Sequence, residues 1–75
     1  MSNKIRTGII GTGLIAHPHS RAYQEIPEVE MVGLCDIKPR KARDFAREEN
    51  WDKAKTYTDH REMLERAAYD RFKSL

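Results

Sequence analysis

Lys4 to Ile10 (KIRTGII), short and rich in β-branched residues, runs directly into Gly11-Thr12-Gly13-Leu14-Ile15-Ala16. No other feature constrains the fold as strongly as this junction. A β-branched run stopped by glycine reads as a strand. Beyond it, Leu14, Ile15, Ala22, Tyr23 and Ile26 fall near helical spacing, and Pro27 closes the pattern, so the spacing predicts a helix. Pro18 lies about a turn into that helix, where its ring and missing N–H are costly unless the helix kinks or starts late.

Val29 to Asp36 (VEMVGLCD) is nearly continuous in apolar residues from Met31 to Cys35, as in a parallel strand covered on both faces. Two strands joined by a helix make a βαβ unit with a right-handed crossover. Pro39 opens a second helix to about Asn50, with Ala42, Phe45 and Ala46 on one face. Ala54 to Tyr57 reads as a short third strand. Asp59 and Glu62 have capping-box spacing, and Met63, Leu64, Ala67 and Ala68 give the apolar stripe of a third helix from about His60. The tail Tyr69 to Leu75 alternates poorly and does not read as a buried fourth strand. The expected fold class is therefore α/β, a partial doubly wound parallel sheet of about three strands and three helices, with residues 1–75 as a single incomplete domain.

The chain has 75 residues, of which Leu, Ile, Val and Phe make up only 14, just under the one-fifth level that accompanies disorder when net charge is high. Here the net charge is +2, which favours a globular chain with a small core. Ten of the 15 Val, Ile, Leu and Met residues lie between Ile5 and Leu34, so the first half builds that core. One cysteine, Cys35, forbids an internal disulfide and points to a reducing, cytoplasmic setting, with the thiol an inert core residue. The N-terminus is not expected to be a signal peptide, because glycines interrupt its apolar stretch and no small-x-small site follows. The sequence shows no membrane span. His17 and His19 are two apart, on different sides of a helix, and with Cys35 and His60 they form no zinc spacing. The basic run Lys38, Arg40, Lys41, Arg43 and Arg47 is interleaved with Asp44, Glu48 and Glu49 and lacks a stacking aromatic pair, so it reads as a solvated helix face and not a nucleic-acid interface.

The G-x-G-x-x-A itself carries chemistry. Gly11 permits a tight strand-to-helix turn, Gly13 lacks a Cβ that would block a pyrophosphate, and Ala16 lets helix and strand approach closely. The first amides of the helix and its positive dipole end then face the phosphates. Asp36, 23 residues beyond Gly13 at the end of the second strand, stands where an acceptor for ribose hydroxyls belongs. Nicotinamide, flavin and S-adenosylmethionine sites all share this turn and acid, and spacing does not separate them.

GIIGTGLIA, EIPEVEMVGLCD, the KPRKARDFA helix and the YTDHREML segment together resemble the N-terminal nucleotide-binding part of the glucose–fructose oxidoreductase and inositol dehydrogenase (Gfo/Idh/MocA) family of NAD(P)-dependent sugar and polyol oxidoreductases, from about Lys4 to Leu64. The resemblance implies a nicotinamide dinucleotide, NAD more than NADP, held by Gly11, Thr12, Gly13, Leu14, Ile15, Ala16 and Asp36. It also implies a fourth strand with a Thr-Pro-Asn-like turn, a Glu-Lys-Pro motif with the catalytic lysine, and a substrate domain with a histidine. After Leu64 the chain runs AAYDRFKSL, and Lys53, Lys55 and Lys73 match no catalytic position, so no catalytic residue is assigned. The expectation is a truncated cofactor-binding part. The alternative is a non-binding, partly folded fragment, or a subunit that needs a partner chain.

Overall fold

The computed structural model describes residues 4–66 and 69–75. Its elements are β1 (Ile5–Ile10), α1 (Ala16–Gln24), β2 (Val29–Cys35), α2 (Pro39–Glu48), β3 (Lys55–Tyr57), α3 (His60–Arg66) and β4 (Arg71–Ser74). The strands form one parallel sheet in the order β3-β2-β1-β4. Parallel neighbours require crossovers, which α1, α2 and the segment containing α3 provide. The winding runs outward from β1 through β2 to β3 and then returns to the far side of β1, so it reverses between β1 and β4.

Ile9, Met31 and Leu34 from the sheet, Ala16 from α1 and Phe45 from α2 are buried together as the core. Met31 and Leu34 are three residues apart and would face opposite ways on a regular strand. They share a face because the β1–β2 register passes from Thr7↔Met31 to Gly8↔Gly33, leaving Val32 as an extra residue. Gly8 and Gly33 consequently meet on the opposite face.

On that opposite face lie Met63 of α3 and the ring of Tyr69. A Cβ on Gly8 would fall 2.7 Å from Tyr69 Cε1, and one on Gly33 would strike the Tyr69 hydroxyl. The two missing side chains make room for Tyr69, whose hydroxyl is buried without a hydrogen-bond partner among the described residues. Burial, with the neighbouring Tyr57 and Cys35, pushes its pKa up to about 12.

This packing explains β4, which makes four strands where the sequence reading gives three. All four residues of β4 are exposed, so no apolar alternation marks it. The strand is held by Tyr69 and by main-chain pairing along β1, from Thr7↔Arg71 to Ile10↔Ser74. Asp70 secures its start: its amide donates to Arg6 O (2.9 Å), and its carboxylate accepts from Arg6 N (2.9 Å).

The helices follow the sequence with two corrections. Helix α1 starts late, at Ala16, which places Pro18 in the first turn where its missing N–H is harmless. Leu14 and Ile15 precede the helix and are exposed, as are Ala22 and Ile26; the buried face is Ala16 and Ser20, with Tyr23 against the core. Helix α2 ends at Glu48, two residues before the expected Asn50. Asn50 is left-handed (φ 59°), and Asn50 N and Trp51 N donate to Arg47 O and Ala46 O, a Schellman closure. At α3, Asp59 Oδ1 accepts from Arg61 N (2.9 Å) as the cap, and Met63 is buried. The expected Ala67 and Ala68 lie outside the described residues.

Because α1 buries only small side chains, polar groups complete its attachment to α2. His17 Nδ1 lies 2.9 Å from Glu49 Oε2, and the His17 ring stacks at a tilt on Phe45 at 4.8 Å. Gln24 Nε2 donates to Glu49 O (2.6 Å), and Trp51 Nε1 donates to Ser20 Oγ (2.6 Å). Burial alone would raise the Glu49 carboxyl, but hydrogen bonds from His17 and Ser20 and the charges of His17 and Arg21 outweigh it and hold the group below its ordinary 4.5. A carboxyl with a lowered folded pKa stabilises the fold above its unfolded pKa, and that contribution disappears as pH falls through the folded value. The urea midpoint is therefore expected to decline as pH drops from about 5 towards about 3, and to decline less in Glu49→Gln. Equal slopes in the two proteins would contradict this role for Glu49.

Candidate functional site

The carboxyl ends of β1 and β2 meet at the glycine turn. Gly11 adopts φ +96°, a conformation that a side chain strains, and its amide donates to Cys35 O across the strand ends (2.7 Å). A Cβ there would also approach Leu75 O to 2.7 Å. Gly13, by contrast, is exposed, and a Cβ on it would meet nothing within 4 Å.

Asp36 ties the turn to the next crossover. Its Oδ2 accepts from both Thr12 N (3.0 Å) and Thr12 Oγ1 (2.9 Å), and its Oδ1 accepts from Lys38 N (3.0 Å). Asp36 N donates to Tyr57 O (3.0 Å), which fixes the acid against the end of β3. Burial raises the Asp36 carboxyl, but the hydrogen bonds from Lys38 and Thr12, with the Lys41 charge, prevail and lower it, so the group is a carboxylate at neutral pH.

The residues singled out in the sequence therefore divide. Gly11, Thr12, Gly13 and Asp36 come together at one end of the sheet. Ala16 is fully buried beneath the turn, its amide donating to Gly13 O (3.0 Å). Leu14 and Ile15 point into solvent, 91% and 64% exposed, so they offer backbone amides while their side chains add nothing to the core. Thr12 N is taken by Asp36, and Ala16 N and His17 N are taken by loop carbonyls. The amides of Gly13, Leu14 and Ile15 make no such bond among the described residues, and these are the ones available to a phosphate.

Two hollows flank the turn. One of 330 Å³ is lined by Gly11, Asp36, Ile37, Thr58 and His60, and one of 260 Å³ by Thr12, Gly13, His17, Lys41 and Phe45. A larger hollow of 510 Å³, near Lys4, Glu30 and Trp51, lies at the amino ends of the strands, the wrong end for ligands of open parallel sheets. Sequence reasoning did not find His17, whose bond to Glu49 spans 32 residues. The basic run lies on the exposed side of the β2–α2 loop and α2, and Cys35 is buried, its thiol pushed up by burial and by Asp36 and Asp59. Among the described residues no helix is long and apolar enough to cross a membrane.

A parallel sheet with reversed winding, a glycine turn after its inner strand and an acid after the next defines a Rossmann-type nucleotide-binding domain. A profile of an oxidoreductase family with an NAD-binding Rossmann fold, Gfo/Idh/MocA, matches residues 5–71, and the chain belongs to that family. Among solved structures it resembles myo-inositol dehydrogenase from Lactobacillus casei in complex with NAD(H) and myo-inositol (26% identity, TM-score 0.84, covering 96% of this chain and 21% of that one). It also resembles the WlbA dehydrogenase from Bordetella pertussis in complex with NADH and UDP-GlcNAcA (26%, 0.81, 95% and 21%). Apo scyllo-inositol dehydrogenase from L. casei shares the fold (21%, 0.81, 100% and 22%). The chain thus spans about a fifth of the length of these proteins. A comparison with the sequences of curated proteins finds no match.

Removing the Asp36 carboxylate takes the acceptor from two amides and a hydroxyl, of which the Thr12 amide and hydroxyl are part-buried and the Lys38 amide is exposed. Asp36→Ala is expected to lower stability by about 1–2 kcal/mol, with Asp36→Asn intermediate because its side-chain oxygen still accepts. Urea unfolding of the three proteins checks this, and an unchanged Asp36→Ala midpoint would show that the bonds carry no net stability.

Proposed function

We propose that residues 4–75 bind the adenosine and pyrophosphate end of NAD, as an incomplete Rossmann domain working in the reducing cytoplasm, and that no catalytic residue lies among them. The observation that carries this reading is the pairing of an open Gly13 with the three unused amides beside it, next to an ionised Asp36 at the sheet's carboxyl end. The NADH and NAD(H) complexes of the similar dehydrogenases support it. The residues fit the group: the phosphates would lie over Gly13, Leu14 and Ile15 at the start of α1, and the ribose hydroxyls at Asp36. A carboxylate has about four acceptor positions and three are used, so one hydroxyl takes the fourth and the second displaces the Thr12 hydroxyl. Nicotinamide accepts or releases hydride when bound; this chain's part is to hold the other end of the molecule.

If only that end is held, NAD and ADP-ribose bind with about equal affinity. Gly13→Val keeps the fold, since its side chain enters open space, but fills the phosphate approach and abolishes binding. Amide NMR titrations report both outcomes. A dissociation constant for NAD far below that for ADP-ribose would overturn the first expectation, and unimpaired binding by Gly13→Val the second.

NAD is preferred because the 2′-phosphate of NADP would bring about two negative charges against Asp36. Lys38 and Arg40, both exposed nearby, soften that repulsion without removing it. Asp36→Ser is expected to shift the ratio of affinities towards NADP. Titration of both cofactors into both proteins decides the matter: a wild type that already prefers NADP, or a ratio untouched by the substitution, rules out this role for Asp36.

A further inference from the structure

Where α1 meets α2, a carboxylate only 7% exposed is set against an imidazole. His17 is the second residue of α1, and its side chain lines the same hollow as Thr12, Gly13 and Leu14, so the ring stands between Glu49 and the turn. Lys41, Asp44 and Glu48 of α2 face that hollow, and Arg21 of α1 acts on Glu49. Asp36, bonded to Thr12 and acted on by the Lys41 charge, belongs to the same set, and Phe45 adds no charge. Asp36, Asp44, Glu48 and Glu49 against Lys41 and Arg21 leave two negative charges uncompensated while His17 is neutral. Protonation of the ring offsets one of them without breaking the contact, because the same Nδ1 donates to Glu49 in either state.

We propose that His17, held by Glu49, is a proton-dependent positioning residue of the dinucleotide site, whose protonation lowers the surplus negative charge beside the glycine turn and tightens the hold on the pyrophosphate. This rests on the binding reading above. His17 is argued to act through the field at the start of α1, where a charge within the first turn alters anion binding by a small factor.

The probe is ADP-ribose, whose two phosphates keep their charge throughout the range, titrated into the 75-residue chain and followed by amide NMR at about pH 5 and about pH 8, the span in which imidazoles change charge. The wild type is expected to bind roughly two- to fivefold more tightly at the lower pH. His17→Gln retains a donor to Glu49 but cannot take a charge, and should bind at both pH values as the wild type does at the higher. His60→Gln, which removes the imidazole of the other hollow, should keep the wild-type pH dependence. A wild type with flat or reversed dependence, a His17→Gln protein that keeps it, or a His60→Gln protein that loses it overturns the proposal while leaving dinucleotide binding intact. Absence of binding at both pH values overturns both readings.

Discussion

The small size of the core governs the rest of this structure. Eight apolar residues are buried among those described, and on the α1 side they are little more than Phe45 closing over Ile9, Met31 and Leu34. Helix α1 adds Ala16 and Ser20, too little apolar surface to fix its position. Its attachment is therefore polar: His17 to Glu49, Gln24 to the Glu49 carbonyl, Ser20 to Trp51. Each of these partners lies at the end of α2, where the left-handed Asn50 turns the chain and brings Trp51 back against α1. The helix that opens the nucleotide site is thus oriented by directional bonds, which specify an angle better than apolar contact does.

At the other end of the same helix the logic repeats. Asp36 receives two bonds from one threonine and a third from the chain that leads into α2. The turn after β1 and the turn after β2 are therefore one unit, although 24 residues separate Thr12 from Asp36. The lowered pKa of the acid follows from this bonding, which holds it as an anion with both oxygens engaged within the chain.

Much of this was legible in the sequence. KIRTGII, the glycine turn, VEMVGLCD and the Pro39 helix each announce themselves by local pattern, and of the two ways to accommodate Pro18, a kink or a late start, the structure takes the late start. What was hidden depends on contacts far apart in the chain. The extra residue at Val32 has no local signal, yet it decides which of Met31, Gly33 and Leu34 face the core. The stripe Leu14, Ile15, Ala22 and Ile26 has good spacing but lies partly before the helix and outside its buried face. Strand β4 has no buried side chain, so nothing in its own four residues marks it. In the candidate site, spacing singled out Gly11, Gly13 and Asp36, which the fold brings to one end of the sheet, whereas Thr12 as a clamp on Asp36 and His17 as a neighbour of Glu49 needed the fold.

Tyr69, which leads into the strand where the winding reverses, lies over Gly8 and Gly33. Neither glycine is at a turn or in an unusual conformation, and neither touches the nucleotide loop. Their substitution nevertheless acts at a distance on strand order: a methyl group at either position contends with the aromatic ring that seats the last strand. Positions 8 and 33 are in this sense topological residues, where mutational tolerance is set by a segment some 60 and 40 places further along the chain, and where the architecture is recorded as the space left for another side chain.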